Sequence, residues 1–123
     1  NTGKAGENHA EVFLKKHFYK ILERNYWKKW GEIDIVADRD GIIHFIEVKT
    51  VSRETVSEEG GDTYAPEDNI HPWKRQRLAR TIETYLLERR IGEDRDWQVD
   101  SLAVYMNKEG RVLKVDHLED IIL

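Results

Sequence analysis

Asp40-Gly41 separates two runs that both read as β-strand, and this dipeptide constrains the chain more than any other feature. Before it, Ile33, Ile35 and Ala37 alternate with Asp34, Val36 and Asp38; after it, Ile42 to Lys49 is rich in β-branched and aromatic residues. Asp-Gly accepts the positive backbone angles that a two-residue hairpin loop demands. If those two residues form the loop, Arg39 pairs with Ile42 and the whole register follows. Asp34 then falls opposite Glu47, and Glu32 opposite Lys49. A loop of odd length would move the partners to opposite faces.

Like charges directly opposed across a hairpin destabilise it, so Asp34 and Glu47 need a reason to meet. A shared proton is one reason and a shared cation another. Hard divalent ions such as Mg²⁺ or Mn²⁺ take carboxylate, carbonyl and water oxygens, and the Val48 carbonyl would be a further ligand. Glu47 and Lys49 lie two apart and so share a strand face. Two anions for an ion with one ammonium beside them suit phosphodiester hydrolysis, with Lys49 orienting water or stabilising charge on the phosphate. The plainer alternative is a surface hairpin with Glu32 and Lys49 as a cross-strand ion pair.

The rest of the chain predicts one α/β domain over residues 1–123 in the order α-β-β-β-α-β-β, a mixed central sheet flanked by helices. Residues 1–6 read as a flexible arm. A helix follows, with Asn8 as a candidate N-cap and Ala10, Phe13, Leu14 and Phe18 at helical spacing, ending near His17. Phe18 to Trp27 suits a strand. Residues 51–69 hold Gly60-Gly61, Pro66 and six acids, the pattern of a mobile loop. A second helix is expected over about 72–90, with Leu78, Ile82, Tyr85 and Leu86 as its buried stripe and Gly92 at its end. Strands follow over Trp97–Met106 and from Arg111 to Val115.

The net charge of −4 argues against a surface that coats nucleic acid everywhere, but the charge is unevenly spread. Residues 1–30 and 71–90 are each net +4, while residues 31–70 are net −8. Lys74, Arg75, Arg77 and Arg80 could contact phosphates or form a solvated helix face. Trp27, Trp30 and Trp73 could stack on unpaired bases or pack against protein. His9, His17, His71 and His117 show no spacing typical of a metal pair, and His44, on the face opposite Glu47, reads as structural. No apolar run is long enough to span a bilayer, no signal-peptide layout is present, and the absence of cysteine fits a reducing cytoplasm. Apolar Ile121-Ile122-Leu123 could cover a sheet edge or join a homodimer.

Gly31 to Ala37 followed by Phe45 to Thr50 resembles the PD-(D/E)XK nuclease core. More narrowly, the chain resembles the YraN-like family of small endonuclease-like proteins, themselves similar to archaeal Holliday-junction resolvases. The likeness extends to Gly6-Glu7 with Ala10, to Arg24-Asn25, and to Lys74 through Leu78 with Tyr85-Leu86. It implies a restriction endonuclease-like fold and a metal-dependent endonuclease acting on DNA, including branched DNA. Asp34 and Glu47 would be its metal-binding acids, Lys49 its catalytic lysine, Glu7 an auxiliary acid, and Gln76 a polar residue near the site. Where the family usually has Arg two residues after the lysine, this chain has Val51. The alternative is a nucleic-acid-binding module that keeps the fold but does not cut.

Overall fold

In the computed structural model of the chain, residues 2–53 and 72–121 are described. They form α1 (Thr2–Lys16), β1 (Lys20–Lys28), β2 (Gly31–Arg39), β3 (Ile42–Ser52), α2 (Pro72–Glu88), β4 (Trp97–Met106) and β5 (Val112–Leu118). The strands make one sheet in sequential order. Neighbours are antiparallel except β3 and β4, which run parallel across the crossover that carries α2. This is the expected α/β order, with a mixed sheet, and it is consistent with a restriction endonuclease-like core.

Two apolar layers hold the sheet. Ala10 and Leu14 of α1 pack on Ile35, Ala37, Ile46, Leu102 and Val104. On the other side Ile82 and Tyr85 of α2 pack with Tyr26, Ile33, Val36, Phe45 and Val99. β4 is buried from Val99 to Met106, as befits a strand covered on both faces.

Several boundaries differ from expectation. α1 begins at Thr2, inside the stretch 1–6 expected to be an arm, so Asn8 lies within the helix and does not cap it. Its Oδ1 instead accepts a 2.8 Å hydrogen bond from Arg24. Residues 51 and 52 belong to β3, and 54–69 of the expected loop lie outside the described residues. Phe18 is not buried: it is 88% exposed. Tyr19 N–H donates to the Leu14 carbonyl and Phe18 N–H to that of Lys15, a helix stop that puts Phe18 in the left-handed region at φ 69°. The second helix stops in the same way, with Arg90 at φ 53° and Ile91 N–H on the Leu86 carbonyl, two residues before the expected Gly92.

Gly6 sets how closely α1 approaches β3. A Cβ there would lie 2.0 Å from Thr50 Oγ1 and 3.3 Å from Thr50 Cβ. Turning the Thr50 side chain relieves only the first contact. Gly6→Ala is therefore expected to destabilise the fold by about 1 kcal/mol, overpacking outweighing the better helix propensity of alanine. Urea unfolding measures it, and a variant more stable than the parent would contradict so tight an approach.

Candidate active site

The hairpin has the register read from the sequence. Arg39 pairs with Ile42, and the ladder continues through Asp38↔Ile43, Ala37↔His44 and Val36↔Phe45 to Ile35↔Ile46. There it stops, one step before Asp34 and Glu47. These two are therefore not ladder partners, and neither are Glu32 and Lys49.

What replaces the next pair is a fork. Ile35 and Ala37 lie in the core under α1, yet Ile33 lies in the core under α2. Simple alternation would have kept all three on one face, so the strand changes face at Asp34. The Asp34 side chain turns into the gap between β2 and β3, where its Oδ2 accepts a 2.8 Å hydrogen bond from Val48 N–H. Glu32, Asp34, Glu47, Val48 and Lys49 all line the resulting cavity of about 350 Å³, with Trp73, Lys74 and Arg77 of α2 opposite. Gly31 allows α2 this close: a Cβ there would lie 2.4 Å from Thr81 Oγ1 and 3.2 Å from the Arg77 carbonyl oxygen.

Two kinds of charge divide this space. Glu7, Glu32 and Asp34 bring carboxylate oxygens within 4.8 Å of one another. Glu7 is held by Asn25 Nδ2 at 2.8 Å and by Arg24 Nη2 at 3.3 Å, from β1. It is well past the first turn of α1, so a role at the helix dipole does not explain it. Burial pushes the Asp34 carboxyl up to about 7; the Val48 N–H opposes this, and the Glu7 and Glu32 charges add to it. Glu47 is treated differently. Burial alone would raise it, but Lys74 and Lys49 outweigh that and hold it below the usual carboxylate range. Their ammonium groups lie 2.7 and 3.0 Å from the same oxygen, Oε1. For Lys74 too, burial works against the charged form and the Glu47 contact prevails, raising its proton affinity.

The hairpin, α1 and α2 thus bring together Glu7, Asp34, Glu47, Lys49, Lys74 and Arg77. Gln76 is exposed and does not line the cavity, nor does Arg75. Arg80 stacks over Trp30, 4.2 Å from the ring centroid, and Arg77 donates from Nε to the Trp30 carbonyl at 2.9 Å. Glu32 is the acid that sequence reasoning assigned elsewhere, to an ion pair with Lys49. Its place two residues before Asp34, on the same face of a regular strand, was the available signal, but the expected pairing with Lys49 accounted for it instead. A separate cluster joins buried His44 and Asp100 with exposed Glu119 on the far side of β3. His44, expected to be structural, is buried with its Nδ1 2.7 Å from Asp100 Oδ2.

The profile of the Uncharacterised protein family UPF0102 matches residues 6–104, which hold every residue of this site. The chain belongs to UPF0102. This is the YraN-like family that the sequence resembles. The chain is 38% identical over 121 residues to a UPF0102 protein of Campylobacter hominis, covering 98% of this chain and 93% of that one. It is 39% identical over 91 residues to a UPF0102 protein of Helicobacter hepaticus, 74% of each chain. A UPF0102 protein of Flavobacterium psychrophilum is 36% identical over 120 residues, covering 98% and 92%. Among the described residues no helix is long and apolar enough to cross a membrane.

Proposed function

We propose that this UPF0102 protein is a Mg²⁺- or Mn²⁺-dependent endonuclease that hydrolyses phosphodiester bonds in DNA, branched DNA included. The observation that carries the reading is the fork: a partly buried Asp34 carboxylate with raised proton affinity, in one cavity with Glu47 and Lys49. The donor set fits a hard divalent ion. Glu7, Glu32 and Asp34 bring three carboxylates together, and the two that are partly withdrawn from water, Glu7 and Asp34, gain from a nearby counter-charge. Asp34 would hold the ion with Glu7 and Glu32, and Glu47 and the Val48 carbonyl complete the candidate ligands. Bound there, the ion would supply a water of lowered pKa and offset the charge that grows on the phosphate.

The chain's own groups do the rest. Val48 N–H fixes the Asp34 carboxylate in the fork. Glu47 holds the Lys49 ammonium at the cavity wall, where it orients the attacking water or stabilises the developing oxyanion. Arg77 lines the cavity with charge for the flanking phosphates. The binding-module alternative draws on one feature: Glu47 already carries two ammonium groups.

Duplex, single-stranded and four-way-junction DNA, each incubated with EDTA, Mg²⁺ or Mn²⁺, form the test. Strand cleavage that needs metal and disappears in Lys49→Met is the expected result. Salt-dependent binding without cleavage of any substrate would support the binding module instead, and absence of both would reject a nucleic-acid role.

A further inference from the structure

Among the described residues, Glu47 is the cavity acid with two ammonium groups on one oxygen. Its side chain is 12% exposed, so as an anion it requires a partner. Lys49, two residues along the same strand, supplies one at 3.0 Å. A second ammonium on the same oxygen neutralises nothing further and is repelled by the first. Yet Lys74 reaches in from α2 to a distance of 2.7 Å. Meanwhile Glu7, Glu32 and Asp34 crowd their oxygens within 4.8 Å, with Arg24 reaching only Glu7 among them. Positive charge is in surplus at Glu47 and negative charge at Asp34.

The two lysines are not equivalent. The Lys49 side chain is 29% exposed and that of Lys74 is 39% exposed. Lys49 springs from a strand paired on β4 at that position, whereas Lys74 stands in the first turn of a helix with Arg77 on the same cavity wall. A lysine on a flexible four-carbon stem can exchange one oxygen partner for another without backbone movement.

We propose that Lys74 is the site's resident counter-cation: its ammonium occupies the Glu47 carboxylate until a divalent ion binds, and is then free to pair with a phosphate oxygen of the substrate. The inference rests on the metal-site reading above. It makes Lys74 a positioning residue that couples ion binding to substrate binding, and such coupling is reciprocal.

Calorimetric titration with Mn²⁺ tests the first half. Lys74→Met is expected to bind Mn²⁺ about tenfold more tightly than the parent. Arg77→Met removes equal charge from the same wall without touching Glu47, and should change affinity by less than about threefold. In a Glu47→Gln background the gain from Lys74→Met should vanish. The second half is read with a phosphorothioate DNA duplex: Mn²⁺ should raise the parent's affinity for it, and Lys74→Met should lose that rise. Equal gains in Lys74→Met and Arg77→Met would reduce the effect to net charge and overturn the proposal, as would a gain that persists in the Glu47→Gln background or a DNA response that survives in Lys74→Met. If neither the parent nor any variant binds Mn²⁺, the metal site itself fails, and this inference with it; a parent that binds Mn²⁺ while Lys74→Met gains nothing sinks this inference alone.

Discussion

Asp34→Asn is expected to abolish metal-dependent cleavage, by about a thousandfold or more, while making the metal-free protein more stable. The two effects share one cause. The folded protein holds Asp34 in a partly buried gap with Glu7 and Glu32 nearby, which pushes its carboxyl up to about 7 from the ordinary 3.8. A group that binds its proton more tightly when folded favours the folded state at low pH. That contribution is complete below about 4 and is lost as pH rises to 7. Asparagine keeps the shape and can still accept the Val48 N–H, but it has no charge to desolvate. Above pH 7, in EDTA, the variant should therefore be more stable by at least about 1 kcal/mol. Its stability should also lack the decline of the parent between pH 4 and 7. Thermal melts across that range decide the matter. Parallel curves would mean that Asp34 is not strained by its surroundings, and undiminished cleavage would remove it from the chemistry.

Asp100→Ala should have the largest effect on stability, a loss of about 3–5 kcal/mol. Asp100 is fully buried and accepts from four directions. His44 Nδ1 lies at 2.7 Å, His117 Nε2 at 2.8 Å, Gln98 Nε2 at 2.8 Å and the Asp120 N–H at 2.9 Å. These partners come from β3, β5, β4 and the segment after β5, so one carboxylate ties the sheet to the end of the described chain. Burial works against its charge, but the two histidines and the other donors win, and the carboxyl sits far below the usual range. Its contribution is present above about pH 4 and lost on acidification, so the deficit of the variant should shrink in acid. With typical domain stabilities of about 5–15 kcal/mol, the variant should be marginal at 37 °C. Urea titration at pH 7 and pH 3 measures both statements; a loss under 1 kcal/mol at pH 7 would show the four donors to be satisfied without Asp100.

The contrast between these two acids explains what could be read in advance. Local chemistry was legible. Asp-Gly dictated the turn and hence the pairs from Arg39↔Ile42 to Ile35↔Ile46, and apolar spacing located both helices and β4. The fork was not legible, because period-two reasoning assumes that a strand never changes face, and at Asp34 this one does. Nor was Lys74 on Glu47, since contact across 27 residues depends on how closely α2 packs, which Gly31 allows. Asp100 escaped notice because its partners are scattered from His44 to Asp120, with no spacing that marks them as a set.

The parallel seam between β3 and β4 bears on the order in which the molecule assembles. Ile43 must find Trp97 there, whereas the β2–β3 turn closes over two residues. Short loops close with little entropic loss and long ones with more, so nearby pairings tend to form before distant ones. The half of the cavity that carries Asp34 and Glu47 belongs to the early, local hairpin. Lys74 belongs to the crossover, so by this tendency its ammonium reaches Glu47 after the β2–β3 hairpin has paired.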